Sequence, residues 1–209
     1  MPEPATLKIN EIFWSVQGEG THGGLPAIFI RLAGCSLKCP YCDTRPAWQQ
    51  GEEMPPARIL AAVRRLRKEY PRSRTVISGG EPLEQELAAL VGALNRDKAE
   101  LAIETNGLYF QDLAIGWWTV SPKDVSGFRI HPRLIPLIDE VKLIANENLS
   151  LETVKKIRLL SADFPIFLQP EASAPDRFRR AFELYRSFQH DGIANLHLGF
   201  QLHRLYDIP

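Results

Sequence analysis

The sequence predicts an α/β fold, a partial barrel of parallel strands with reduced outer helices. Three observations predict it. Short β-branched runs alternate with amphipathic stretches, and several runs are continuously apolar, as strands buried on both faces of a parallel sheet are. The chain has 209 residues, fewer than the ~250 typical of a complete eightfold barrel. Residues 123–138 are rich in proline and glycine with little helical pattern, so some outer helices are expected to be missing.

PAIFIRLA (26–33) reads as the first strand of the series. PPARILAAVRRLRKE (55–69) places Ile59, Leu60, Val63 and Leu66 on one helix face with arginines opposite, after a proline suited to a first turn. RTVISGG (74–80) is followed by an amphipathic segment at 84–97, and ELAIETNG (100–107) and WWTVSPK (117–123) are successive strands. IDEVKLI (138–144), a helix over 150–161, PIFLQP (165–170), a helix over 175–190 and NLHLGF (195–200) complete the alternation. No repeat, low-complexity tract or long linker interrupts it, and one domain over 1–209 is expected. Polar groups fall at the strand ends, where ligands gather in such folds: GGE, ETN, SPK and QPE.

Twenty-five basic and 25 acidic side chains cancel, which removes the positive field expected of a nucleic-acid binder. The N-terminus, MPEPATLKINEIF, lacks the apolar run of a signal peptide. No stretch approaches the ~20 apolar residues that cross a bilayer. A cytoplasmic protein without a membrane partner is expected, its thiols reduced and free to bind metal.

All three cysteines lie in CSLKCPYCDT (35–44). A structural zinc site closes with four ligands and disulfides consume thiols in pairs, so three leave something unaccounted for. CPYC alone resembles the redox pair of glutaredoxins, a low-pKa thiol attacking disulfides. Cys35 adds a third thiol at C-x3-C-x2-C spacing, which suits a 4Fe-4S cluster with one iron open to a small molecule. Zinc, dithiol chemistry and inert thiols stay open on spacing alone.

C-x3-C-x2-C after a first strand, followed by GGEP after a second, resembles the radical S-adenosylmethionine superfamily. There the cofactor's methionine chelates the open iron. Gly79 and Gly80, without Cβ atoms, would let the backbone approach that methionine, and Glu81 would accept from its amine. FWSVQGEGTHGG (13–24), FIRLAGC (29–35), CDTRPAW (42–48), ETNG (104–107), SPK (121–123), DEVKLI (139–144), LQP (168–170) and QLHRLYDIP (201–209) together resemble the 7-carboxy-7-deazaguanine synthase family, across essentially the whole chain. Two departures are Ser78, where threonine is common, and the HRLYDIP tail, where lysine often follows the histidine.

The resemblance implies radical ring contraction of 6-carboxy-5,6,7,8-tetrahydropterin with loss of ammonia, in queuosine and deazapurine biosynthesis. It implies a cluster on Cys35, Cys39 and Cys42, Mg2+ on Thr44, a homodimer and an electron donor such as a flavodoxin. Adenosylmethionine contacts carried over are Tyr41, Cys42, Asp43, Gly79, Gly80, Glu81, Glu104, Ser121, Pro122, Lys123, Gln169, Pro170, Glu171 and Ala172. Substrate contacts are Val16, Gln17, Gly18, Glu19, Arg31, Ser78, His203 and, through a terminal carboxylate, Pro209 in the tail 201–209. Gln17 offers a donor and an acceptor to a pterin edge, and Arg31 a planar fork to a carboxylate. Residue by residue, blander readings exist: Gln17 in a surface turn, Arg31 at a solvated strand end, Thr44 capping a helix, His203 near a frayed end. Another radical enzyme on this fold, such as an activase for glycyl radical enzymes, is the alternative nearest in chemistry.

Overall fold

The computed structural model describes residues 6–209; Met1–Ala5, where the stretch read for a signal peptide begins, lie outside the described residues. The strands are β1 (Leu7–Val16), β2 (Pro26–Leu32), β3 (Glu52–Met54), β4 (Arg74–Gly79), β5 (Leu101–Thr105), β6 (Trp117–Val120), β7 (Glu140–Ala145), β8 (Ile166–Pro170) and β9 (Leu196–Leu198). The helices are α1 (Pro56–Glu69), α2 (Ala88–Arg96), α3 (Leu151–Arg158), α4 (Arg177–His190) and α5 (Leu202–Tyr206). All nine strands form one sheet in the order β3-β1-β2-β4-β5-β6-β7-β8-β9. From β2 to β9 every pairing is parallel, whereas β1 runs antiparallel to both β2 and β3. The α/β partial barrel expected from the sequence is the fold observed.

The sequence pattern did not announce β1, and the reason is local. Leu7 and Ile9 belong to the main core and Ile12 and Trp14 pack against it, but the register with β2 shifts between Ile9 and Glu11. That bulge moves the inward phase by one residue and breaks the period-2 signature. The expected helix over 84–97 is shorter, because a 3-10 turn at Pro82–Glu84 precedes α2. Residues 106–116 contain no helix, and 123–138 fold as two 3-10 turns, Asp124–Ser126 and Pro132–Leu137. These are the reduced crossovers that proline and glycine foreshadow.

Two hydrophobic cores lie on the outer face of the sheet. Ile28, Ile30, Ile77, Ile103 and Trp118 pack under α1 and α2 with Ile59, Val63, Leu90 and Leu94. Val141, Leu143, Ile166, Leu168 and Leu196 pack against α3 and α4 with Val154, Ile157 and Phe188. Each fully buried branched side chain stabilises the fold by roughly 1.5–3 kcal/mol. Alternate residues point the other way, into the lumen. Its floor is apolar, with Ala27, Val76 and Ala102 under Phe29 and Trp117, and its upper layers are polar. The sheet curls enough that residues beyond β9 reach those beyond β1: Leu202 N donates to Gly18 O at 3.0 Å.

The ends of β2 and β4 meet at the rim through bare backbone. A Cβ on Gly80 would lie 1.9 Å from Gly34 O, and one on Gly79, at φ 120°, would lie 2.2 Å from Leu32 O. Gly80 N donates to Leu32 O at 2.9 Å and Glu81 N to Gly34 O at 2.7 Å. The absent Cβ atoms are thus required by the chain's own backbone, whether or not they also make room for methionine. Gly80→Ala is expected to destabilise the cofactor-free chain by at least about 3 kcal/mol in urea unfolding. Gly92→Ala, in α2 with only the tip of Arg96 nearby at 3.4 Å, should instead stabilise it by ~0.5–1 kcal/mol.

Candidate active site

The upper lumen opens into a cavity of about 250 Å³. Strand periodicity explains its lining: Arg31, Ser78, Glu104, Lys142 and Gln169 occupy lumen-facing positions of their strands, and Ser121 follows β6 directly. Arg31 pairs with Ser78 in the β2–β4 ladder, and Ile144 with Gln169 in the β7–β8 ladder. Every site residue named from the sequence lines this cavity except Pro122, Pro170 and Glu171. Pro122 and Pro170 are buried beside it, and the Glu171 carboxylate accepts from Ser173 Oγ at 2.9 Å.

The cysteine loop is irregular, with Lys38 at φ 45°, and is held at several points. Its root, Gly34, donates to Ala47 O at 2.7 Å; Ser36 N and Oγ bond the Glu84 carboxylate; the Tyr41 hydroxyl donates to Asp124. Asp124 also accepts from Asn146 at 3.0 Å and Asn148 at 2.6 Å. Burial and the Asp124 bond push the Tyr41 phenol well above its usual range, so it remains a donor. Cys35, Cys39 and Cys42 are free thiols on the cavity wall. Burial raises the Cys35 and Cys39 thiols, so their thiolates call for a cation.

Glu81 is buried and already engaged. Its carboxylate accepts from Leu83 N at 3.1 Å, Thr105 Oγ1 at 2.6 Å and Asn106 N at 2.7 Å, tying the loop after β4 to the end of β5. Burial outweighs these bonds and pushes it up to about 7. Arg31, expected to meet a carboxylate, already has one: it pairs with Glu11 and lies 4.9 Å above the Phe13 ring. Thr44 precedes the 3-10 turn Arg45–Trp48 but makes no side-chain cap; its hydroxyl donates to Asp43 Oδ1 at 3.1 Å. Asp43, Glu19 and His203 each bring a ligand-type atom within 4.8 Å of the others, gathering negative potential beside Thr44.

Across the lumen, Gln17 Nε2 donates to Glu104 Oε1 at 2.8 Å and Gln17 Oε1 accepts from Glu19 N at 3.2 Å. Glu19 and Glu104 converge on Lys142 Nζ at 2.9 and 3.2 Å. Burial alone would lower the lysine, but Glu104, Glu19 and Glu140 reverse the shift and hold it above its usual range. Burial would likewise raise Glu19, and Lys142 brings it below the ordinary carboxylate value. Lys123 Nζ donates to Ser121 Oγ at 2.6 Å, and Ser121 Oγ to Lys142 O at 2.9 Å. The tail folds as α5, turns at Asp207 with φ 53° and places Pro209 O 2.7 Å from Ser15 Oγ. His203 packs over Gly18, where a Cβ would lie 2.4 Å from its Nδ1.

Sequence reasoning did not single out Lys142, Gln201, Ser15, Trp48 or Asn106. For Lys142 a signal existed: a lysine inside an apolar parallel strand has only the lumen to face. Trp48 Nε1, Asn106 Nδ2 and both amide atoms of Gln169 are buried at this cavity without a protein partner among the described residues. Such orphaned donors and acceptors fit a polar ligand.

The radical SAM superfamily profile matches residues 29–118. The 7-carboxy-7-deazaguanine synthase of Aquifex aeolicus is 30% identical over 97% of this chain and 94% of its own length. The chain belongs to the 7-carboxy-7-deazaguanine synthase family. The family member from Bacteroides thetaiotaomicron is 40% identical over 78% of this chain and 81% of its own. The crystal structure of QueE from Escherichia coli superposes with a TM-score of 0.76 at 28% identity, covering 95% of each chain. As a synthase of the radical SAM superfamily, the chain uses adenosylmethionine and a 4Fe-4S cluster. Three thiols on one wall and the orphaned amides of Gln169 and Asn106 fit those groups.

Glu81 carries a pH dependence. Its folded value lies above the ordinary 4.5, so its contribution to stability is full below the unfolded value and is lost as pH rises through about 7. The unfolding free energy of the cofactor-free synthase should therefore fall by on the order of 2–3 kcal/mol between pH 4.5 and 8 from this group. Glu81→Gln should flatten that fall in denaturant titrations.

Proposed function

We propose that the chain catalyses the radical ring contraction of 6-carboxy-5,6,7,8-tetrahydropterin to 7-carboxy-7-deazaguanine with release of ammonia. The observation that carries this reading is that one cavity gathers the three cysteines, the GGE and ETN strand ends and the Gln17–Glu19 loop. When bound, the cluster and adenosylmethionine supply an electron and a 5′-deoxyadenosyl radical able to take hydrogen from C6 of the pterin. Cys35, Cys39 and Cys42 would hold three irons. The cavity's adenosylmethionine set is Tyr41, Cys42, Asp43, Gly79, Gly80, Glu81, Glu104, Ser121, Lys123, Gln169 and Ala172, with Gln169 contributing an amide that lacks partners among the described residues. Pro122, Pro170 and Glu171 are left out, since they do not line the cavity.

The substrate side belongs to the 16–19 loop, Arg31, Ser78, His203 and Pro209. Gln17 has both amide groups committed, which fixes its orientation, and carboxyl oxygens of Glu19 and Glu104 retain lone pairs for pterin N–H donors. Arg31 would exchange or share Glu11 with the substrate carboxylate. Thr44, uncommitted as a cap and flanked by Asp43, would give Mg2+ one protein oxygen, suiting a hard cation that keeps most of its water. On this reading the donor is of flavodoxin type, the enzyme is a cytoplasmic homodimer, and residues 1–209 act as one domain. In support, no helix among the described residues is long and apolar enough to cross a membrane.

Anaerobically reconstituted enzyme should form 7-carboxy-7-deazaguanine and ammonia in equal amounts. Cys35→Ala should lose the cluster's visible absorption; retention of absorption and activity would return the thiols to a dithiol role. Thr44→Val should blunt the activation by Mg2+ of chelator-treated enzyme and leave adenosylmethionine binding within about twofold of wild type. Equal activity with and without the ion would remove it from the reaction.

A further inference from the structure

Strand β7 holds the motif DEVKLI, to which the functional assignments above give no role of its own. Its charged lumen-facing residues are Glu140 and Lys142, two apart and each only 3% exposed. Both reach the loop between β1 and β2. Glu140 accepts from Thr21 N at 2.8 Å and from Thr119 Oγ1 at 2.9 Å, and it fills the space a Cβ on Gly20 would need. Lys142 Nζ lies 2.9 Å from Glu19 Oε2 and 3.2 Å from Glu104 Oε1. Each of those carboxylates in turn holds an amide: Glu104 that of Gln17 at 2.8 Å, and Glu19 that of Gln201 at 2.9 Å.

We propose that Lys142 is a positioning residue for substrate recognition: its ammonium holds Glu19 and Glu104 as a fixed pair of ionised acceptors and thereby seats Gln17. The proposal rests on the pterin reading above and names the chemistry that the site selects, a heterocycle edge rich in N–H donors. Two carboxylates and one ammonium leave a single net negative charge in a desolvated lumen. Glu140 on the same strand adds another, and His203, from α5, faces Glu19. Without the ammonium the two carboxylates repel at close range, so one swings out or takes up a proton. Either outcome releases Gln17 from Glu104 and frees the loop. The cysteine loop is held separately over its first part, through Gly34, Ser36 and Tyr41, and that part should not respond, whereas Asp43 shares the Gln201 amide with Glu19.

The test uses the reconstituted full chain as wild type, Lys142→Met, Lys142→Arg and Lys142→Met/Glu104→Gln. Lys142→Met should raise the KM for 6-carboxytetrahydropterin by roughly tenfold or more, a larger factor than the loss of 5′-deoxyadenosine formation without substrate that follows from Glu104's place in the adenosylmethionine set. Amide hydrogen exchange should quicken over residues 17–25 and stay unchanged over 34–41. Lys142→Arg, keeping the charge, should recover part of the KM. If Lys142→Met does not fold, the double variant, which removes the orphaned charge, should fold and still show fast exchange over 17–25. Unchanged KM and unchanged exchange overturn the proposal, as does an equal loss of substrate turnover and substrate-free cofactor cleavage, which assigns the lysine to the fold alone. Wild-type enzyme that fails to turn over the pterin would sink the functional reading, and the exchange pattern would still decide whether Lys142 seats the loop.

Discussion

Backbone meets backbone where Gly80 passes Gly34, with the carbonyl of one where the other's side chain would start. From that contact the site is laid out. It fixes the root of the cysteine loop against the end of β4, so the thiols and the GGE turn share a wall. The next residue, Glu81, carries the constraint onward, since its carboxylate binds the hydroxyl of Thr105 at the end of β5 and the main chain of Asn106 just beyond it. Three strand ends are thereby placed by hydrogen bonds that need no ligand. A rigid rim of this kind lets cofactor-binding groups be preorganised instead of being ordered at the cost of binding.

Above its apolar floor the lumen is charged, which is costly unless each charge is matched. Lys142 and its carboxylates meet that condition among themselves, and Thr119 and Thr21 supply donors to Glu140. Both amide atoms of Gln169 and Nδ2 of Asn106 do not, since they are buried at the cavity without a partner among the described residues. The contrast separates two kinds of buried polar group in one chamber: those that hold the chamber's shape and those that wait for an occupant.

Much of this was legible in the sequence, for identifiable reasons. Strands such as TVIS and FIRLA are apolar on both faces because a parallel sheet buries both, and their polar ends mark the rim. The loop residues of the site were legible because cysteine spacing and paired glycines are local signals. β1 was not, because its bulge shifts Ile12 and Trp14 out of phase with Leu7 and Ile9. The reason for the glycines was also out of reach, since Gly34 meets Gly80 across 46 residues of chain. Ser15 was silent for a similar reason: its partner is Pro209, and no sequence window spans both.

The β6–β7 ladder has only two registered pairs, Thr119 with Glu140 and Val120 with Val141, and it divides the sheet between its two cores. Main-chain pairing there is the scantest of the parallel series, so side chains complete the join. Ser121 Oγ bonds Lys142 O, Thr119 Oγ1 bonds Glu140, Asp139 accepts from Trp118 N at 2.7 Å, and Lys142 reaches over to Glu104 on β5. Each half-sheet has helices and an apolar core of its own, the makings of two folding units. Coupling between the halves therefore runs in part through Lys142 and Glu104, which also line the chamber, so substitutions at those positions loosen or tighten it.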